Sequence, residues 1–236
     1  ERAVESAYIF FFKTGGEGFV GVNDTDNHQE ISLDSLKPIA GATGNVSDIS
    51  NSVIVIRNHK GELPSQMVAV LNWRPTNGTV YTIDALKDEL VTNTNPNGYF
   101  IMSNSVYKNA AEDLYATPLA ITDFKKSANE AKTNPVKVYV ERVAAKVVVK
   151  TPTADHKFAL LRKGGGPLEI NSEQVYAKIL GWELYNENTE SNLLKNIDSL
   201  PAHNDNTTLG FYWNDATRYR SYWASNTQTP TDVINY

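Results

Sequence analysis

Apolar and polar residues alternate most regularly between Asn134 and Thr151, NPVKVYVERVAAKVVVKT. Val136, Val138 and Val140 interleave with Lys137, Tyr139 and Glu141, a period of two that predicts a half-buried strand. Beyond Arg142 the apolar positions become Val143, Ala145, Val147 and Val149, so the phase shifts at Glu141–Arg142. Side chains on a strand alternate faces strictly, and a shift of phase therefore implies a bulge, a bend or a change of sheet. The expected organisation is a domain over residues 1–143 and a second over 144–236, joined by this strand.

Upstream, AVESAYIFFFK over residues 3–13 predicts a strand that is apolar on both faces, hence central and covered on both sides. Gly15, Gly16 and Gly18 follow it, and Phe19, Val20 and Val22 then predict a continuing strand, so the glycines read as a hairpin turn. NDTDNHQE over 23–30 reads as a solvated loop. Asp24 and Asp26 have the spacing that opens a calcium loop, but His28 stands at the third ligand position and no distal Glu follows in place. Residues 52–57 and 67–71 predict buried strands, and 99–103 another. Residues 83–91, IDALKDELV, predict a helix with Asp84 at its start and Leu86 and Leu90 on one face. The half after Thr151 is loop-rich: a run at Phe158–Leu161, a glycine break at 164–166, a strand pattern at Val175–Leu180, and Leu193 and Leu194 as candidate anchors.

Composition narrows the class of function. The chain has 236 residues, 41% of them hydrophobic and 21% charged, in keeping with a globular protein that has a core. A net charge of −5 gives no electrostatic footprint for nucleic acid. No apolar run reaches the roughly 18 residues that mark a membrane-spanning helix. Cysteine is absent, which removes disulfides, thiolate metal sites and cysteine nucleophiles. His28, His59, His156 and His203 are scattered among loop signals without metalloprotease spacing, and neither a G-x-S-x-G elbow nor a P-loop occurs. No catalytic residue, metal or cofactor is therefore expected, and the chain reads as a non-enzyme. Tyr212, Trp213, Tyr219, Tyr222 and Trp223 stand beside Arg218 and Arg220. Such a cluster packs a sheet or a subunit contact, or stacks on sugars, and Trp213 and Trp223 are the candidate glycan contacts in that second reading.

Four stretches carry a resemblance to a known family: AVESAYIFFF at the start, YFIMSNSVY at 99–107, KVYVERVAAKVVV at 137–149, and GWELYN at 181–186 with YRSYWA at 219–224. In this order the chain resembles the fimbrillins of Bacteroidota, in the major-subunit branch similar to the shaft pilin of minor fimbriae. The resemblance implies an all-β protein of two transthyretin-like β-sandwich domains joined by the long strand, the second incomplete in this chain. It implies a pilin of the cell surface, exported through the outer membrane as a lipoprotein precursor and supporting adhesion and biofilm formation. Proteolysis of such a subunit removes its first strand, and a strand from the next subunit fills the groove, with backbone hydrogen bonds giving affinity and alternate side chains giving fit. The partners are then other fimbrial subunits, with host or bacterial surface receptors beyond them. Glu1 falls where the resemblance places the second strand, and the chain ends before the expected donor segment. Ile9, Phe11, Val143, Ala145 and Val147 lie on the strands expected to border the groove. The alternative is a surface glycan-binding module on the same scaffold.

Overall fold

The computed structural model describes residues 4–35, 37–39, 49–56, 61–92, 99–104, 107–108, 113–144, 149–151, 153–183 and 190–195. The architecture is all-β, with short strands and only two short α-helices among the described residues. Chain compactness divides it into one unit of Glu1–Ala144 with Asn188–Tyr236 and another of Ala145–Glu187.

The first unit is built on a six-stranded sheet. Its strands, in chain order, are β1 (Ala7–Phe12), β2 (His28–Glu30), β3 (Gln66–Leu71), β4 (Met102–Asn104), β5 (Thr117–Pro118) and β6 (Val140–Arg142). They lie in the order β6-β4-β3-β1-β2, every described pair antiparallel, with β5 sharing the far edge of β3 with β4. β1 pairs along its whole length with β3, from Ala7 opposite Leu71 to Phe12 opposite Gln66.

All six residues of β1 are buried, as expected for a strand apolar on both faces. Tyr8, Phe10 and Phe12 enter a first core with Val68, Val70, Tyr81, Leu86 and Val91. Ile9 and Phe11 enter a second core with Phe19, Val22, Met67 and Ala69. Period-two alternation thus splits a single apolar run between two cores.

The hairpin turn after β1 forms as expected. Lys13 N–H donates to Glu17 O, and Phe12 bridges to Gly18. Gly18 is required there: a Cβ would lie 2.4 Å from Val80 Cγ1 and 2.9 Å from Tyr81 O. The chain beyond differs from the expected strand, because Val20–Val22 coils into a 3-10 turn. Helix α1 (Ile83–Asp88) is shorter than expected. Thr82, not Asp84, caps it, accepting from Ala85 N–H, while Asp84 pairs with Lys87 on the helix surface. The backbone turns extended at Glu89, so Leu90 does not share the Leu86 face; Val91 is the buried residue of the strand Leu90–Thr92.

The 134–151 run forms less ladder than its pattern suggests. Within the described residues only Val140–Arg142 pairs, with Asn104–Met102 of β4. Val140 packs against the second core and Val143 lies in the first. Residues 140 and 143 differ by an odd number of positions, so regular alternation places them on opposite faces. The phase shift therefore needs no bulge at this point: the sheet is apolar on both sides.

Glu190–Asn192 pairs with Leu90–Thr92, which brings Leu193 and Leu194 into the first core at zero exposure. Ser103 Oγ–H donates to Leu193 O, and Lys195 pairs with Glu141, both largely buried. The second unit carries a meander in which Lys157–Ala159 pairs with Tyr176–Lys178, and Glu169–Ile170 with Glu173–Gln174. Asn171 and Ser172 turn that hairpin at φ 53° and 67°.

The loop 23–30 overturns the expectation of a solvated segment: Asp26, Asn27 and His28 are all buried. Asn27 is fully enclosed, donates from Nδ2 to Phe11 O and Tyr81 O (3.0 Å each), and accepts from Tyr81 N–H at 2.9 Å. A polar sequence folds inward here because the Asp26 and Asn27 side chains bond backbone groups. Asn27→Ala would strand those backbone groups and should lower the stability of the first unit by about 2–4 kcal/mol. Gly18→Ala should cost about 1–3 kcal/mol by overpacking. Urea denaturation of each variant against the parent checks both values, and an unchanged midpoint for Asn27→Ala would show that the buried amide is not holding the loop.

Candidate functional site

The second core is a cluster of apolar side chains on one face of the sheet. β1 supplies Ile9 and Phe11, β3 supplies Met67 and Ala69, and the turn after β1 supplies Phe19 and Val22. Backbone bonds hold this floor rigidly: Phe19 N–H donates to Phe11 O at 2.9 Å, and Phe11 N–H to Asn27 O at 2.8 Å. The partly buried side chains of Ile31, Ile54, Ile56, Leu119, Val136, Val138 and Val140 pack over it.

Two of the covering segments share an unusual property. Around Val53–Ile56, Ile54 and Ile56 face the core while Val55 is 53% exposed. Around Pro135–Val138, Val136 and Val138 face the core while Lys137 is exposed. Among the described residues these two segments have the alternation of strands and no ladder partner. What this arrangement can do chemically is bind an extended segment, through apolar contact and backbone hydrogen bonds.

The structure brings Ile9 and Phe11 together in this core, at 6% and 3% exposure. It places Val143 across the sheet, in the first core. Ala145 and Val147 lie outside the described residues, as do Trp213 and Trp223. The residues missed from the sequence are Val136, Val138 and Val140, Ile54 and Ile56, and the Met67–Ala69 floor. The signal was available: the even-numbered valines of 136–140 form the clean alternating set, and their half-burial marks them as a cover.

A second grouping lies in the first core. The rings of Tyr8, Phe10, His28, Trp73 and Tyr81 contact one another with centroids 5.3–6.2 Å apart. Arg74 sits at the rim, bonded to Tyr8 Oη and Glu30. This is interior packing of edge-on rings, not an open stacking platform. Among the described residues no group of three or more His, Asp or Glu side chains is placed to hold a metal ion. Asp26 is instead spent on its own loop, accepting from His28 N–H and Gly78 N–H at 3.3 Å each.

The missing ladders have a measurable consequence. In the isolated protein, the amides of Ile54–Ile56, Val136 and Val138 should exchange with deuterium much faster than those of Phe11 and Phe19, by two orders of magnitude or more. Equal protection in native-state exchange would mean that the cover is already bonded. Comparison with protein-family models, with curated proteins and with solved structures finds no match to this chain.

Proposed function

We propose that this chain is the structural subunit of a cell-surface fimbria, and that it polymerises by accepting a strand from a neighbouring subunit against the second face of its sheet. One observation carries the proposal: an apolar cluster on one face of the sheet is covered by two segments that alternate like strands but join no ladder among the described residues. An added strand would pair with segments that join no ladder among the described residues. Inserting about four large apolar side chains would gain roughly 1.5–3 kcal/mol each, set against the cost of ordering two partners. A fibre of such joints dissociates slowly, which suits a structural polymer.

The fimbrillin resemblance supplies the rest of the proposal. Two of its stretches are neighbours in the sheet, with Val140 opposite Asn104 and Arg142 opposite Met102. On this reading the fold is a pair of transthyretin-like sandwiches, and the covering segments belong to the second layer of the first. The precursor is a lipoprotein, and proteolytic loss of a first strand exposes the acceptor. The surface fibre then serves adhesion and biofilm formation. No helix among the described residues is long and apolar enough to cross a membrane.

The test is assembly. Full-length subunit, processed by protease, should form fibres visible by negative-stain electron microscopy and ladders that persist on unheated gels. In those fibres the amides of Val136 and Val138 should become protected. Val138→Lys and Ile54→Lys should abolish the ladder while leaving the circular dichroism of the monomer unchanged. A processed subunit that stays monomeric, or fibres untouched by either substitution, would overturn the reading.

A further inference from the structure

His28 lies on β2, an outer strand of the sheet, and is 3% exposed. β2 pairs with β1 over three residues, Tyr8 with Glu30, Ile9 with Gln29 and Phe10 with His28, and backbone bonds from Ile31 to Ala7 and from Phe11 to Asn27 extend the contact by one residue at each end. The imidazole is walled by Tyr8 and Phe10 of β1 and by Tyr81, which precedes α1. Its two nitrogens differ in surroundings. Nδ1 stands 3.4 Å from Asp26 Oδ1. Nε2 is buried and has no hydrogen-bond partner.

With the single proton on Nδ1, facing Asp26, the neutral ring leaves only a lone pair unmatched at Nε2. A second proton turns Nε2 into a charged donor among aromatic rings, with no acceptor in reach. Among the described residues the only carboxylate against the ring, Asp26, faces the other nitrogen and already accepts from Asn23 Nδ2, His28 N–H and Gly78 N–H. Among the described residues the other titratable groups against the ring are the phenols of Tyr8 and Tyr81. The Arg74–Glu30 pair lies beyond Tyr8, with both side chains more than half exposed.

We propose that His28 is a proton-operated catch: on mild acidification, protonation of its ring releases β2 from β1 and uncovers the outer edge of β1. β2 is a short strand on the edge of the sheet, and the charge would arise inside it. The freed edge would be the backbone of Tyr8–Phe10, a fully buried apolar segment. The device stands independently of the fimbrial reading, because it needs only the geometry of β1, β2 and the loop before it.

The sign of the effect follows from the ring's titration. Burial lowers the His28 pKa from 6.5, against a smaller upward pull from Asp26. The opened state, with the ring in water, takes up the proton first. The closed state is therefore fully favoured above 6.5 and loses ground as pH falls from there to the lowered closed-state pKa, below which the loss levels off.

Native-state hydrogen exchange at several pH values from neutrality down to mild acid tests this, after correction for intrinsic exchange. The amides of Ile31, bonded to Ala7 O, and Phe11, bonded to Asn27 O, report β2, and the Val143 amide, bonded to Ile101 O, is the control at the far edge. Protection of Ile31 and Phe11 relative to Val143 should fall by up to about tenfold per pH unit within the window. His28→Phe, which keeps the ring and removes the proton site, should flatten the profile. Titration of the His28 ring resonances in the parent protein gives a second readout that needs no variant, and should report a midpoint below 6.5. Parallel loss at both edges, a profile retained in His28→Phe, or a ring midpoint at or above 6.5 would overturn the proposal.

Discussion

Enclosure of β1 on every side is the constraint on which the first unit depends. Its six residues carry two layers of aromatic and aliphatic side chains, one into each core, while β2 and β3 occupy its two edges. A strand apolar on both faces is costly to leave exposed, at roughly 25 cal/mol for each Å² of apolar surface. The surrounding elements can be understood as means of covering it. α1 contributes Leu86, the strand after it contributes Val91, and the turn after β1 contributes Phe19 and Val22.

Enclosing a strand so completely also removes water from the polar groups around it, and the loop 23–30 shows how that is resolved. Asn27 bonds three backbone groups from two distant segments, and Asp26 bonds its own loop and Gly78. A buried amide that satisfies several partners fixes the path of the chain more narrowly than an apolar residue of the same size, because any shift breaks several bonds together. His28 is the exception in this group, with one nitrogen served and the other unmatched. That asymmetry is the basis of the proposed proton-operated catch.

The two faces of the sheet are sealed differently. On the first, ladder-bound elements close the core. Glu190–Asn192 pairs with Leu90–Thr92, and the Glu141–Lys195 and Ser103–Leu193 contacts pin the residues that follow. A buried ion pair adds little net stability, but breaking it is expensive, so it fixes register more than it adds strength. On the second face the cover has the alternation of strands, without a ladder among the described residues. The proposed acceptor role of the second face rests on that difference.

Much of this was legible in the residues themselves. AYIFFF is apolar at every position, which marks a strand covered on both faces wherever it sits. The alternating valines of 136–140 mark a half-buried segment, and Gly15, Gly16 and Gly18 mark a turn. All of these rest on local periodicity and backbone freedom, which neighbours in sequence decide. What needed the tertiary structure was pairing and polarity. Whether Val136 and Val138 join a ladder depends on which strands lie beside them. Whether a polar run such as NDTDNHQE is solvated depends on carbonyls of Phe11 and Tyr81 that sequence spacing does not bring near. The apparent phase shift at Glu141 shows the same limit: one face and two faces produce different patterns from the same alternation. Only the position of both cores shows that Val140 and Val143 sit on opposite sides of the sheet, the strand ending at Arg142 and the chain bending at Val143–Ala144. Side-chain identity determined what had to be buried, and long-range backbone hydrogen bonds, which no local pattern encodes, decided against what.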